Sequence, residues 1–272
     1  MRKVSLFLLT LAVSLSALNQ AHGQVRERLS LESSSWTLHS VDDGDNETEN
    51  YFVNRLWLHL HPHLQLSLNT IIGNAHLENL YQPDDQLQAR VKLSSNQVFA
   101  LGGGVRMTVI EEGRFKLRAF FEYNRTVNEF YFDIDGVEIQ ATDLQLDDKF
   151  LRDINDFARQ HFTFRQSWAR ALGGLTFVWT IEKMTVDLTM GVENYLGRAC
   201  ATADPEGQTT TMLLSPKFVI AKCKDIYHNA ATVEPGITYR PHRRFEVFGK
   251  LLYIPSSDLI LGGSLGLTIF GF

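Results

Sequence analysis

The chain has 272 residues, 44% of them hydrophobic and 21% charged, with a formal net charge of −5. That balance offers no basic excess for a nucleic-acid partner. It suits an ordinary soluble protein, and it equally suits a transmembrane β-barrel, in which every second residue of a strand is polar and faces the lumen.

At the N-terminus, Arg2 and Lys3 precede an apolar run from Val4 to Leu18, followed by Ala21-His22-Gly23. This is the pattern of a secretory signal peptide, residues 1–23, with Gln24 to Phe272 as the mature chain. Beyond residue 23 there is no run of 18 apolar residues. A membrane role for the mature chain therefore requires strands, and periodicity is the test.

A first strand is expected over Leu31 to Ser40. From Phe52 to Ile72 the alternation is explicit: Phe52, Leu56, Leu58 and Leu60 share one face, and Arg55, Trp57, His59 and His61 the other. After His61-Pro62-His63 it resumes with Leu64, Leu66, Leu68 and Ile72 against Gln65, Ser67 and Asn69, which makes a hairpin of membrane length. The unit recurs three times. Phe99 to Val109 turns at Glu111 to Arg114 into Phe115 to Tyr123. Ala169 to Trp179 turns near Ile181-Glu182-Lys183 into Met184 to Val192. Ala231 to Tyr239 turns at Pro241-His242-Arg243 into Phe245 to Tyr253. A last strand runs from about Leu259 to Phe272.

The connections between hairpins are longer and polar: Val41 to Asn50, Asn74 to Asn96, Arg125 to Thr163 and Leu196 to Asn229. Ten strands result, with every long loop on one side. Leu87 to Leu93 ("LQARVKL") also alternates; it reads as a loop extension, but with a partner strand it would raise the count to twelve. The expected fold is an all-β, antiparallel up-and-down transmembrane barrel.

The signal peptide, the hairpin rhythm and the terminal "FGF", with Phe270 and Phe272, together make the mature chain resemble the single-chain β-barrel proteins of Gram-negative outer membranes. That resemblance implies an outer-membrane location, short periplasmic turns and long external loops. It also implies lipid and lipopolysaccharide as surroundings, and recognition of Phe270 and Phe272 by the barrel-assembly machinery. Large apolar residues Ile269, Leu267 and Leu265 lie on the parity opposite Phe272, which calls for a bulge near Ile269. The last strand pairs with the first, so it is not an exposed edge.

The only cysteines, Cys200 and Cys223, fall in one expected external loop of an exported chain. One disulfide follows, worth roughly 3 kcal/mol in the chain-entropy model. The parity opposite the apolar face lists the lumen: Arg55, Arg106, Lys116, Arg118, Arg170 and Lys250 against Glu122, Asp187, Glu193, Glu234 and Glu246. Two readings stay open. Either the charges pair and fill a plugged barrel that works through its external loops as an adhesin or surface protein, or they line a narrow pore for small ions or solutes. The pore is the preferred function.

The external loops are acidic. Asp42, Asp43, Asp45, Glu47 and Glu49 mark the first. In the longest, Asp147, Asp148, Asp153 and Asp156 make a candidate surface for a cation or an extracellular partner, a solvated face being the plainer reading. Leu146, Phe150, Ile154 and Phe157 recur at helical spacing there, with Asp143 placed to cap the start. "DIDG" at Asp133 to Gly136 lacks the other ligands of a calcium loop. His59, His61 and His63 read as a polar rim. Catalysis by His39, Ser40, Asp42 and Asp43, or by Asp156 and His161, lacks any signature, so an outer-membrane hydrolase is the remaining alternative and no enzyme is expected. No motif calls for a metal or cofactor.

Overall fold

The computed structural model describes residues 28–42, 45–84, 87–141, 148–203, 222–255 and 259–271; the expected signal segment, Asp43, Asp143, Leu146, Asp147 and Phe272 lie outside the described residues. In chain order the elements are β1 (Leu29–Asp42), β2 (Asp45–His61), β3 (Leu64–Asp84), β4 (Leu87–Ser95), β5 (Val98–Glu112), β6 (Phe115–Thr126) and β7 (Phe130–Ala141). A helix, α1 (Asp148–His161), follows, and then β8 (Phe162–Ile181), β9 (Met184–Ala203), β10 (Lys222–His242), β11 (Phe245–Pro255) and β12 (Leu259–Phe270). All strands belong to one antiparallel sheet. It closes between β1 and β12, from Ser30 opposite Phe270 to Val41 opposite Leu259. Closure satisfies the edge groups of the last strand, which would otherwise be open to pairing with other chains.

Twelve strand segments make ten staves. β3 pairs with β5 from Leu64 to Gly73 and with β4 from His76 to Asp84. On the other side, β8 pairs with β6 from Ala169 to Trp179 and with β7 from Phe164 to Gln166. β4 thus continues the line of β5, and β7 that of β6. The joint is held in register by Asn96, whose backbone N donates to the Tyr131 carbonyl at 2.8 Å while its side-chain oxygen accepts from Tyr131 N at 3.0 Å. "LQARVKL" is therefore a paired strand, yet the ring still has ten positions, because β4 and β7 extend the wall upward rather than widening it.

The apolar parity faces outward. Leu68, Met107, Phe121, Trp179, Val192 and Leu251 are all exposed, and Leu265 reaches 74% exposure. A continuous belt of this kind would be strongly unfavourable in water; against hydrocarbon it is the natural surface of a spanning barrel. Among the described residues no helix is long and apolar enough to cross a membrane.

The four short turns lie where the sequence puts them, but each long connection contains strand that the sequence does not announce. β1 and β2 run on to Asp42 and Asp45, so the stretch expected as an acidic loop from Val41 to Asn50 is largely a two-stranded ribbon. Asn74 to Asn96 holds the upper part of β3 and β4. Arg125 to Thr163 supplies β7 and α1, and "DIDG" is part of the β4–β7 ladder. Leu196 to Asn229 contributes the outer halves of β9 and β10. These segments lack an apolar face for lipid and so read as loops; a neighbouring strand with free N–H and C=O groups is enough to extend the ladder. No bulge occurs near Ile269, since the β1–β12 and β11–β12 registers run unbroken. Leu261, Leu265 and Ile269 face outward, and Phe270 lies on the inward parity.

Candidate functional site

The lumen is divided into two layers. Toward the short turns it holds a cavity of about 640 Å³, lined from Gly113, Glu182 and Lys183 at the rim up to Trp36, Phe120 and Leu172. Nine of the eleven expected lumen charges line it: Arg55, Arg106, Lys116, Arg118, Glu122, Asp187, Glu234, Glu246 and Lys250. Arg170 and Glu193 sit farther out, 2.8 Å apart.

Most of the cavity charges are matched. Arg55 reaches Glu32 at 2.8 Å and Glu122 at 3.3 Å, bridging β1 and β6 from β2. Lys250 reaches Glu234 at 2.7 Å, Arg240 reaches Glu246 at 2.5 Å, and Lys116 reaches Glu111 at 2.6 Å. The Arg240 guanidinium also lies 4.7 Å from the centre of the Phe270 ring. Glu32 was missed by the sequence reading although it shares the parity of Ser30 and Ser34; the short polar run "ESSS" gives the first strand no alternation from which to read a face. Its carboxylate accepts from Arg55 and, at 3.2 Å, from Trp57 Nε1.

Of the nine expected lumen charges in the cavity, three are left over. Among the described residues Arg106, Arg118 and Asp187 have no oppositely charged group within ion-pair distance. Arg106 lies over the Trp57 ring, 4.3 Å from its centre. Arg118 Nε and Asp187 Oδ1 are buried without a hydrogen-bond partner. His59 faces the same space, held between Ser30 Oγ at 2.9 Å and Gln65 Nε2 at 3.1 Å; His61 and His63 stay at the turn, their rings 5.3 Å apart.

Beyond the cavity the interior holds a large apolar cluster beside the Arg170–Glu193 contact. Leu38, Tyr51, Val53, Ile71, Leu93, Val98, Ala100, Phe130, Phe132, Ile134 and Trp168 form one buried cluster. Tyr51 on β2 meets Trp168 on β8 edge to face at 6.4 Å, although three ring positions separate those strands. The Tyr51 ring lies against Gly73 on β3, where any Cβ would overlap it and the Asn50 carbonyl. Glycine is required there because the aromatic fills the space above its backbone. Trp168 is fixed through Thr126 Oγ1, which accepts from Trp168 N at 3.1 Å and donates to its carbonyl at 3.2 Å.

Helix α1 seals one flank of this layer. β7 pairs with β8 only at Phe130 to Phe132, which leaves its outer edge open. The Asn155 side chain takes that edge, with Oδ1 accepting from Val137 N at 2.5 Å and Nδ2 donating to Val137 O at 3.1 Å. Arg159 donates to the Ile134 carbonyl at 3.0 Å and also to that of Asp135. Phe157 meets Phe162 at 6.2 Å, and Ala158 and Phe162 pack on the buried cluster. Of the acidic candidates, Asp153 and Asp156 are exposed on α1 and Asp148 is its first residue. Two further acids of this stretch are paired, Glu129 with Arg165 at 3.0 Å and Glu138 with Lys92 at 2.5 Å.

On the outer part of β2, past the roughly ten residues per strand that cross a bilayer, Glu47 and Glu49 are hydrogen-bonded to each other. Burial, and then the charge of Glu49, push the Glu47 carboxyl up to about 8. Burial raises Glu49 as well, against the pull of Arg170. Two carboxylates this close cannot both ionise, so the pair holds a proton at neutral pH. His228 stacks on Tyr195, ring centres 5.0 Å apart. His39 and Ser40, adjacent along β1, point to opposite faces of the strand and do not converge.

Cys200 and Cys223 are bonded. They sit directly opposite each other in the β9–β10 ladder, so the bridge staples the wall at the base of the intervening segment.

No family model matches the sequence, and no curated protein matches it significantly. Solved structures do. The outer-membrane protease OmpT of Escherichia coli aligns with a TM-score of 0.53 at 12% identity, over 89% of this chain and 95% of that one. The translocator domain of the autotransporter NalP from Neisseria meningitidis gives 0.43 at 11% identity, over 98% and 97% of the two chains. Ail, the attachment invasion locus protein of Yersinia pestis, gives 0.36 at 11% identity, over 89% and 98%. The OmpT alignment is a likeness of fold. Together with the closed ring and the apolar belt, it makes this chain a spanning barrel of the outer-membrane type.

Proposed function

We propose that the chain is a closed outer-membrane barrel that works at the cell surface through its outward-projecting ribbons and helix α1. The observation that supports this most directly is the filled outer half of the lumen, where Tyr51 and Trp168 meet across the interior. Ten strands lie near the size at which side chains alone fill a barrel, far below the roughly sixteen of wide aqueous channels. The extended β1–β2 and β3–β4 ribbons, the stapled β9–β10 wall and α1 supply rigid material beyond the bilayer. With the short turns facing the periplasm, the charged face of α1, where Asp153 and Asp156 lie beside Lys149 and Arg152, is presented to the outside.

A gated channel is the second reading, favoured by the periplasm-facing cavity of about 640 Å³. Single-channel recording of the refolded barrel in a planar bilayer separates the two. A silent membrane, with folding verified by heat-dependent gel mobility, is expected. Regular conductance steps from the wild-type barrel would sink the closed-barrel reading and make the lumen charges the selector.

A further inference from the structure

The periplasm-facing cavity contains a charge arrangement that a closed, purely structural lumen does not need. Arg106 and Arg118 occupy diagonal inward positions on neighbouring strands, Arg106 opposite Phe120 and Arg118 opposite Thr108. Diagonal pairs of this kind stand about 7–8 Å apart, within reach of one ligand between two long side chains. Neither guanidinium has a carboxylate partner. Of the acids that act on Arg118, Glu246 is engaged by Arg240 and Glu111 by Lys116, while Asp187 stands beyond ion-pair distance. Arg106 is held face-on by Trp57 at 4.3 Å, which fixes the plane of its donors without using them. Like charges placed side by side repel, and Arg118 Nε is buried without a partner, so this pair calls for an anion or for tightly held water.

The third leftover charge narrows the choice. Asp187 faces the same cavity from β9, beyond the Thr176–Thr189 hydroxyl pair, and its Oδ1 is buried without a donor. A bare acceptor beside two bare cationic forks suits an oxyanion that both accepts and donates. We propose that this cavity binds a small phosphate-type anion, with Arg106 and Arg118 holding its charged oxygens and Asp187 accepting from its remaining P–OH. Phosphate monoesters and inorganic phosphate keep such a proton near pH 6; sulfate and the phosphodiesters of lipid headgroups do not. Guanidinium forks match the paired oxygens of the anion, and the Asp187 carboxylate rejects an oxyanion that has no proton to offer. The site opens toward the periplasm past Gly113, Glu182 and Lys183. It does not depend on whether the outer half of the lumen opens.

Equilibrium dialysis of the refolded barrel against labelled inorganic phosphate, at about pH 6 where a phosphomonoester is half protonated, tests the proposal. Saturable binding of one equivalent is expected, with glycerol 3-phosphate competing and a short-chain phosphatidylglycerol not competing. Arg106→Gln and Arg118→Gln should each weaken retention by about tenfold, as expected for loss of a charged hydrogen-bond pair. Arg106→Lys keeps the charge and guards against a folding artefact, and Arg243→Gln, on the turn outside the cavity, should change nothing. Sulfate should bind more weakly than phosphate to wild type, and Asp187→Asn should remove that preference. Absence of saturable phosphate binding, or binding undiminished in the Arg106→Gln/Arg118→Gln double variant, overturns the site. Equal binding of sulfate and phosphate to wild type overturns the role given to Asp187, and displacement by phosphatidylglycerol moves the site to a lipid headgroup.

Discussion

Trp168 and Phe132 are the side chains whose removal should open the barrel most directly. Trp168 is 6% exposed and Phe132 5%, and both belong to the apolar cluster that fills the outer lumen. Replacing both by alanine deletes about 240 Å³ of side chain, room for roughly eight waters at their liquid volume of about 30 Å³ each. Burial alone prices each truncation at about 3–5 kcal/mol, and since the two share one cluster the costs will not simply add. The barrel wall is kept by backbone ladders on both sides, so the double variant should fold with a lowered urea midpoint. In planar bilayers it should then show flickering conductance where wild type is silent, because water can reach the cavity below. A folded double variant that stays silent would refute the idea that this cluster is what blocks the lumen, and the Arg170–Glu193 contact would become the next candidate. Wild-type conductance equal to the variant's would refute the plug outright.

Other consequences follow from single groups. Arg55→Ala strands Glu32 and Glu122, and breaking a buried pair of this kind costs about 3–5 kcal/mol; the companion changes Glu32→Gln and Glu122→Gln in the same chain should recover much of that loss in the urea midpoint, and no recovery would mean that Arg55 acts through packing. Reducing the Cys200–Cys223 bridge, 23 residues apart in sequence, should lower stability by roughly 3 kcal/mol while leaving the ring closed; an unchanged denaturation midpoint under reductant contradicts this. The Glu47 carboxyl is raised by burial from 4.5 to about 8, so its contribution is complete below about pH 4.5 and is lost as pH rises through about 8. Hydrogen-exchange protection factors in the outer β1–β2 ribbon should therefore fall between those limits, and Glu47→Gln should flatten their pH profile. A ribbon equally protected at pH 5 and pH 9 would contradict the shared proton.

How much was legible in the sequence depends on which solvent each residue meets. Where one face of a strand meets hydrocarbon, the period of two is enforced residue by residue, so Phe52 to Ile72 and the three later hairpins could be read with their turns and inward faces. The same parity listed Arg55, Arg118, Glu234 and the other lumen charges, because inside and outside of a barrel wall are distinguished by a single step along the chain. Beyond the bilayer both faces are wet or packed on protein, the alternation fades, and the outer parts of β1 to β4 and β7 read as loops. Their strand character comes from the neighbour that each ladder offers, which no local pattern records. Glu32 was hidden for a similar reason, since serines on either side of it carry no preference for a face.

Only the closed ring decided the rest. Which lumen charges pair depends on strands distant in sequence, as when Arg55 on β2 joins Glu32 on β1 to Glu122 on β6. The same holds for Arg106, Arg118 and Asp187, which are left over only once the other partners have been assigned in three dimensions. The filling of the outer lumen likewise needs Tyr51 and Trp168 to meet across the barrel. The sequence determined that the chain makes a wall with an apolar outside and a polar inside; the curvature of that wall determined which residues face each other across it, because contact across a lumen is set by ring closure and not by spacing along a strand.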